Sequence, residues 1–121
     1  RRQRQMCIRD RVRPSYIPEG FVCTEEEQLT ILSFIVYERN EQRISFQQMF
    51  ADGTGIGLDT EDAYTENTQV SGMEALYVEK QTEDSVHRTL LYHDEVYIYL
   101  LSADGLSRQE LFKIAESVPA V

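Results

Sequence analysis

A chain of 121 residues is long enough for one domain with a modest core, and its 41% apolar and 10% aromatic content is globular rather than disordered. No apolar run reaches the length of a membrane span or reads as a secretory leader. The net charge of −9 is uneven: Arg1, Arg2, Arg4, Arg9, Arg11 and Arg13 against Asp10 give residues 1–13 a charge of +5, and the remainder carries −14. A body this acidic repels phosphate backbones, which argues against nucleic acid as a partner.

The basic start has a plainer reading than an anionic partner. Met6-Cys7-Ile8-Arg9-Asp10-Arg11 is what ATG TGT ATA AGA GAC AGR encodes, which resembles the mosaic-end adapter of transposase-based sequencing libraries. The preceding Arg-Gln-Arg-Gln fits repeats of the AGACAG end. Residues 1–11 are therefore read as translated adapter, and 1–13 as a non-native or disordered tail ahead of a single α+β domain over 14–121. On this reading the chain is a metagenomic fragment whose true start, with any membrane segment, is missing. Codons other than these at Gln5 to Arg11 would sink the idea. Cys23 then stands alone, which leaves no internal disulfide and no CxxC metal site, and it reads as a small apolar strand residue.

Ile17-Pro18-Glu19-Gly20 fits a type I turn with Pro second and Gly fourth. Phe21 to Thr24 is a short strand, and Glu25 to Gln28 a polar link. Leu29 to Glu38 is the most apolar run; Ile31, Ile35 and Tyr37 point one way, Leu32, Phe34 and Val36 the other. That predicts a central strand covered on both sides. Arg39 to Gln42 is a turn. Arg43 to Phe50 alternates, with Ile44, Phe46 and Phe50 on one face and Ser45 and Gln47 on the other, as a half-buried antiparallel strand does. Ala63 to Val70 is a weak strand, Ser71-Gly72 a two-residue turn, and Met73 to Gln81 a strand. Val86 to Tyr92 and Val96 to Ser102 form a hairpin around His93-Asp94-Glu95. Ser107 and Glu110 make a capping box, and Leu106 and Leu111 a hydrophobic staple. Leu111, Ile114, Ala115 and Val118 recur at helical spacing and anchor the helix on the sheet; Pro119 ends it.

Chemistry-bearing patterns are thin. Gly53-Thr54-Gly55-Ile56-Gly57 lacks the full phosphate-loop spacing, and acids rather than an amphipathic helix follow it. The acids of 52–66, Asp52, Asp59, Glu61, Asp62 and Glu66, lack EF-hand spacing and read as a solvated loop. His87 and His93 have no metal-ligand partner at the right spacing. There is no GxSxG elbow for a serine nucleophile, and with 21 acids some carboxylates fall near one another by chance. No catalytic residue, cofactor or metal is expected. Tyr77, Tyr92, Tyr97 and Tyr99 are the candidate contact surface for a peptide, sugar or lipid; the plainer alternative, high β propensity at half-buried positions, is the favoured one.

The order of short motifs resembles a bacterial domain of unknown function, the family numbered 4367. It is carried by Tyr16-Ile17-Pro18-Glu19-Gly20-Phe21, Leu58-Asp59-Thr60-Glu61-Asp62-Ala63, Val70-Ser71-Gly72-Met73-Glu74-Ala75, the hairpin Leu90 to Tyr99, and Leu106-Ser107-Arg108-Gln109-Glu110-Leu111 through Ile114-Ala115-Glu116-Ser117. The family often has Trp where this chain has Tyr92. The resemblance implies a domain set C-terminal to one membrane helix, outside the cytoplasm of Gram-positive bacteria. It also implies a fold similar to the half-barrels of lipoprotein carriers and anti-sigma-factor regulators.

The expected fold is α+β: a single antiparallel, curved sheet of about six to seven strands with a C-terminal helix packed on one face. The expected function is a non-catalytic extracytoplasmic binding or sensing module, anchored to the cell membrane by the missing segment and tied to envelope stress or sporulation. Its partner would be an unknown protein, peptide or lipid, held in an apolar pocket between sheet and helix. The alternative is a structural protein–protein interaction domain with a filled core, using a sheet edge or the tyrosine face. A hydrolase using acidic residues ranks third.

Overall fold

The computed structural model describes residues 11–51 and 60–119. The adapter-like stretch before Arg11 and the glycine-rich loop lie outside the described residues. Seven antiparallel strands form one open sheet: β1 (Val22–Gln28), β2 (Leu32–Arg39), β3 (Gln42–Phe50), β4 (Tyr64–Val70), β5 (Met73–Gln81), β6 (Val86–His93) and β7 (Tyr97–Asp104). A single helix, α1 (Arg108–Glu116), follows. The spatial order is β1-β2-β3-β7-β6-β5-β4, so two meanders meet at the β3–β7 seam.

Alternation sets which residues share a face. Register places Tyr37 beside Ile44 and Ala103, and Ile35 beside Phe46 and Leu101, continuing into Leu90 and Tyr77. All of these are buried and form one cluster with Leu106, Leu111, Ile114 and Ala115. Each fully buried aliphatic side chain is worth about 1.5–3 kcal/mol. That burial holds a nine-residue helix which would be marginal alone in water.

Local chemistry starts and stops α1. Ser107 Oγ accepts the Glu110 N–H at 3.1 Å, the N-cap bond. The Glu110 carboxylate accepts the Tyr16 O–H at 2.8 Å. The helix closes on Ser117, whose N–H reaches the carbonyls of Ile114 and Ala115, two residues before Pro119 could end it. Arg108 pins the first turn to β4 through two bonds to Glu66, 2.9 and 2.8 Å. The Arg108 guanidinium lies 4.4 Å from the centre of the Tyr77 ring, a favourable cation–π distance.

The segment before β1 covers the other half of the same face. Val12, Tyr16, Ile17 and Phe21 pack on the core. Val12 N–H donates to the buried Gln48 Oε1 at 3.1 Å, Arg11 to the Leu29 carbonyl at 2.7 Å, and Arg13 to Glu26. Residues 11–13 thus engage the sheet, although the sequence places them in a tail. Ser15 N–H and Oγ donate to the Ser117 carbonyl, and Tyr16 N–H to Ser117 Oγ, so this segment clasps the end of the helix.

Three local expectations change. The polar link 25–28 is the second half of β1, because an edge strand tolerates polar side chains on both faces. The run from Leu29 begins as a turn: Leu29 and Ile31 are exposed, and the strand starts at Leu32. Finally, Phe21 N–H bonds the Pro18 carbonyl with Gly20 at φ +93. Glycine is therefore third in a turn of the type II kind, shifted by one residue from the type I reading.

Candidate functional site

The face of the sheet opposite α1 carries three ordered rows across the strands. One row is Phe34, Gln47, Leu100, Leu91 and Leu76. The next is Val36, Ser45, Ser102, Thr89 and Val78, and the third is Glu38, Arg43, Asp104, His87 and Lys80. Below the first row lie Leu32, Met49 and Ile98. The core cluster and the helix lie entirely on the other face, and among the described residues no helix or strand packs on this one. Phe34, Leu76, Leu91, Ile98 and Leu100 are left half-buried. An antiparallel sheet normally turns polar side chains to water; here Leu100, Leu91 and Leu76 adjoin one another, with Phe34 beyond Gln47, and such an apolar run is a candidate contact surface.

The short serines of the second row open a hollow of about 300 Å³ between Phe34 and the charged row, bordered by Arg43, Gln47, His87 and Asp104. His87 Nδ1 lies 2.6 Å from Asp104 Oδ1, both side chains 42% exposed. A second hollow, about 180 Å³, lies between Asn67, Glu74, Leu76, Leu91 and His93. His87 and His93 share this face, at opposite ends of β6. Among the described residues no group of three His, Cys, Asp or Glu side chains could hold a metal ion. Of the acids in 52–66, Glu66 is committed to Arg108 and to the Tyr64 hydroxyl. These bonds pull its carboxyl down to about 2, the Arg108 contribution being the largest.

The four tyrosines do not form a contact surface. Tyr77, Tyr92, Tyr97 and Tyr99 are between 0% and 3% exposed and lie on the helix-covered face. Tyr92 and Tyr99 stack at 5.1 Å, Phe50 and Tyr97 at 5.5 Å, and Tyr77 meets Phe112 of α1 at 5.9 Å. Their register puts every one of these rings on the core side, where large aromatics fill the space beneath the helix. Burial, then a hydrogen bond to Glu79, pushes the Tyr77 hydroxyl up to about 12. Burial raises that of Tyr92, which has no hydrogen-bond partner among the described residues. Leu111, Ile114 and Ala115 are buried in this cluster, and Val118 packs on its margin. The expected pocket under the helix is thus occupied by side chains, and the hollows described above lie on the open face instead. The open-face leucines escaped the sequence reading, which took apolar residues on both strand faces to mean two covered faces. Their signal was present in Leu76, Leu91 and Leu100, because the one helix that the sequence signals can cover only one of two faces.

Fold and surface together define an α+β module whose accessible features are a sheet face and sheet edges. The chain belongs to the family described as "Domain of unknown function (DUF4367)", whose model matches residues 11–118. Among solved structures it is similar to the crystal structure of MucB in complex with MucA(peri), with 14% identity and a TM-score of 0.48. The match covers 93% of this chain but 37% of that one. No curated protein matches.

Proposed function

We propose that this domain is a non-catalytic module that binds a segment of a partner polypeptide on the open face of its sheet. The observation that carries the reading is the uncovered stripe of Phe34, Leu76, Leu91, Ile98 and Leu100 beside a core with its own side chains packed beneath the helix. A filled core favours a surface-bound chain over an enclosed acyl group. The family resemblance supports the finer reading, a binding or sensing domain outside the cytoplasm, carried by a membrane-anchored bacterial protein and tied to envelope stress or sporulation.

The test selects displayed random peptides on the full chain and on a Leu91→Lys/Leu100→Lys variant. Selected peptides should shift the amides of β6 and β7 and lose at least about tenfold in affinity on the variant, as truncating central contacts does. Selected peptides indifferent to the variant would overturn the reading. So would saturable binding of a fluorescent C16 fatty acid unaffected by it. A reporter fused to the domain in its intact gene, active only inside the cytoplasm, would overturn the location.

A further inference from the structure

The sheet is open at both ends, and the two edges differ. At β4, helix α1 packs alongside and Arg108 neutralises Glu66. At β1 all seven residues are exposed, and among the described residues the strand pairs only with β2. Alternate backbone N–H and C=O groups of an edge strand point outward unpaired, a template for another strand. Its acids lie on both faces: register sets Glu25 against Val36 and Glu27 against Phe34 on the open face, and Glu26 against Ile35 on the core face. The facing β2 residues are apolar and offer these carboxylates no cation. A second observation shows which charge this edge takes: the chain's own Arg13, beyond the adapter-like stretch, pairs with Glu26.

We propose that the β1 edge binds a short, extended, basic segment of a partner protein by strand addition, extending the open face by one strand. This rests on the reading of the domain as a polypeptide-binding module and names the chemistry of what it binds. Backbone bonds supply the docking and the glutamates supply the choice. Two copies of β1 would bring glutamates against glutamates, which disfavours pairing between like molecules. The bulge between Cys23 and Glu25 limits regular pairing to Glu25–Gln28, so the docked run is short and its affinity depends on salt.

The test titrates the full chain with a short peptide alternating valine and lysine, and with a backbone N-methylated peptide of identical charge. Amide shifts and slowed hydrogen exchange should centre on Glu25–Gln28. Affinity should fall about tenfold from about 50 to about 300 mM salt, and by a similar factor in Glu25→Lys/Glu27→Lys. The N-methylated peptide should bind several-fold more weakly, because it cannot complete the ladder. Equal binding of the two peptides would overturn the proposal by reducing the contact to diffuse attraction. Shifts centred on Leu91 and Leu100 would overturn it while leaving the open-face reading intact. No binding of the valine–lysine peptide at millimolar concentration would overturn it as well, and the displayed-peptide selection would still decide the open face.

Discussion

Replacing Tyr92 by Phe should stabilise this protein, and replacing Tyr77 by Phe should destabilise it. Both rings are fully buried on the same face. The difference that decides the sign is what their hydroxyls meet. Tyr92 Oη has no partner among the described residues, so it lost water on folding and gained nothing, a cost of about 1–3 kcal/mol. The Phe ring keeps the 5.1 Å stack on Tyr99, and deleting one oxygen leaves a void of little consequence. The net gain is about 1 kcal/mol, or about 3–6 °C in Tm for a domain of this size. Tyr77 Oη instead donates to Glu79 at 2.6 Å and accepts from Arg88 Nε at 3.0 Å. Deleting it leaves both charged groups short of a bond and costs about 1–2 kcal/mol. Urea and thermal unfolding at pH 7 measure both variants. Two values of the same sign, or Tyr92→Phe losing more than about 0.5 kcal/mol, would refute the burial argument. Alkali supplies a cross-check. The folded Tyr77 hydroxyl titrates at about 12 rather than the usual 10, so its contribution is complete below pH 10 and is lost as pH rises towards 12. Tyr92 is raised too, and Tyr92→Phe should flatten part of that alkaline loss.

Ile114 is fully buried at the helix–sheet contact, so Ile114→Ala should cost about 3–4 kcal/mol in urea unfolding; a cost below about 1 kcal/mol would mean that the helix is not what closes this face. Glu66 titrates at about 2 instead of 4.5 in the folded protein, so its contribution is present above about pH 4.5 and is lost as pH falls through that interval. Glu66→Gln should therefore be less stable than the native chain at neutral pH and converge with it near pH 2; parallel pH–stability curves would contradict the pairing with Arg108. Gln48→Leu removes the acceptor of the Val12 N–H and should cost about 1–2 kcal/mol. Amide exchange at Val12 should accelerate with it; an unchanged Val12 rate would show that the segment is held elsewhere.

Much of the architecture could be read directly from residue order. Ile44, Phe46 and Phe50 alternate with Ser45 and Gln47, and Ser107 stands three residues before Glu110; both signals are local, and the structure contains the strand and the Ser107 N-cap bond, with the Glu110 carboxylate on Tyr16. Sheet position was not local. Nothing within Leu32–Arg39 records that its outer neighbour is a glutamate-rich edge rather than another apolar strand, so β2 read as central. The same limit hid the open apolar face. Leu76, Leu91 and Leu100 come from three strands and become a row only through register, which depends on turns and pairings far along the chain. The tyrosines misled for a related reason. Tyr carries both an apolar ring and a polar tip, so the residue type alone does not choose between core and contact surface. The parity of each position along its strand does choose.

The seam between β3 and β7 has a kinetic consequence. Its partners, from Arg43 with Asp104 to Phe50 with Tyr97, are 47 to 61 residues apart in sequence, whereas every other strand pair in the sheet joins neighbours along the chain. Each meander can zip up through short hairpins, but joining them requires closing a long loop before any contact repays the lost entropy. We expect the seam to set the folding rate. Trimming Phe46 or Leu101 should slow refolding in stopped-flow experiments, while trimming the helix at Ile114 should chiefly hasten unfolding. The middle of the sheet, which looks like its oldest and firmest part, is on this account the last to be made.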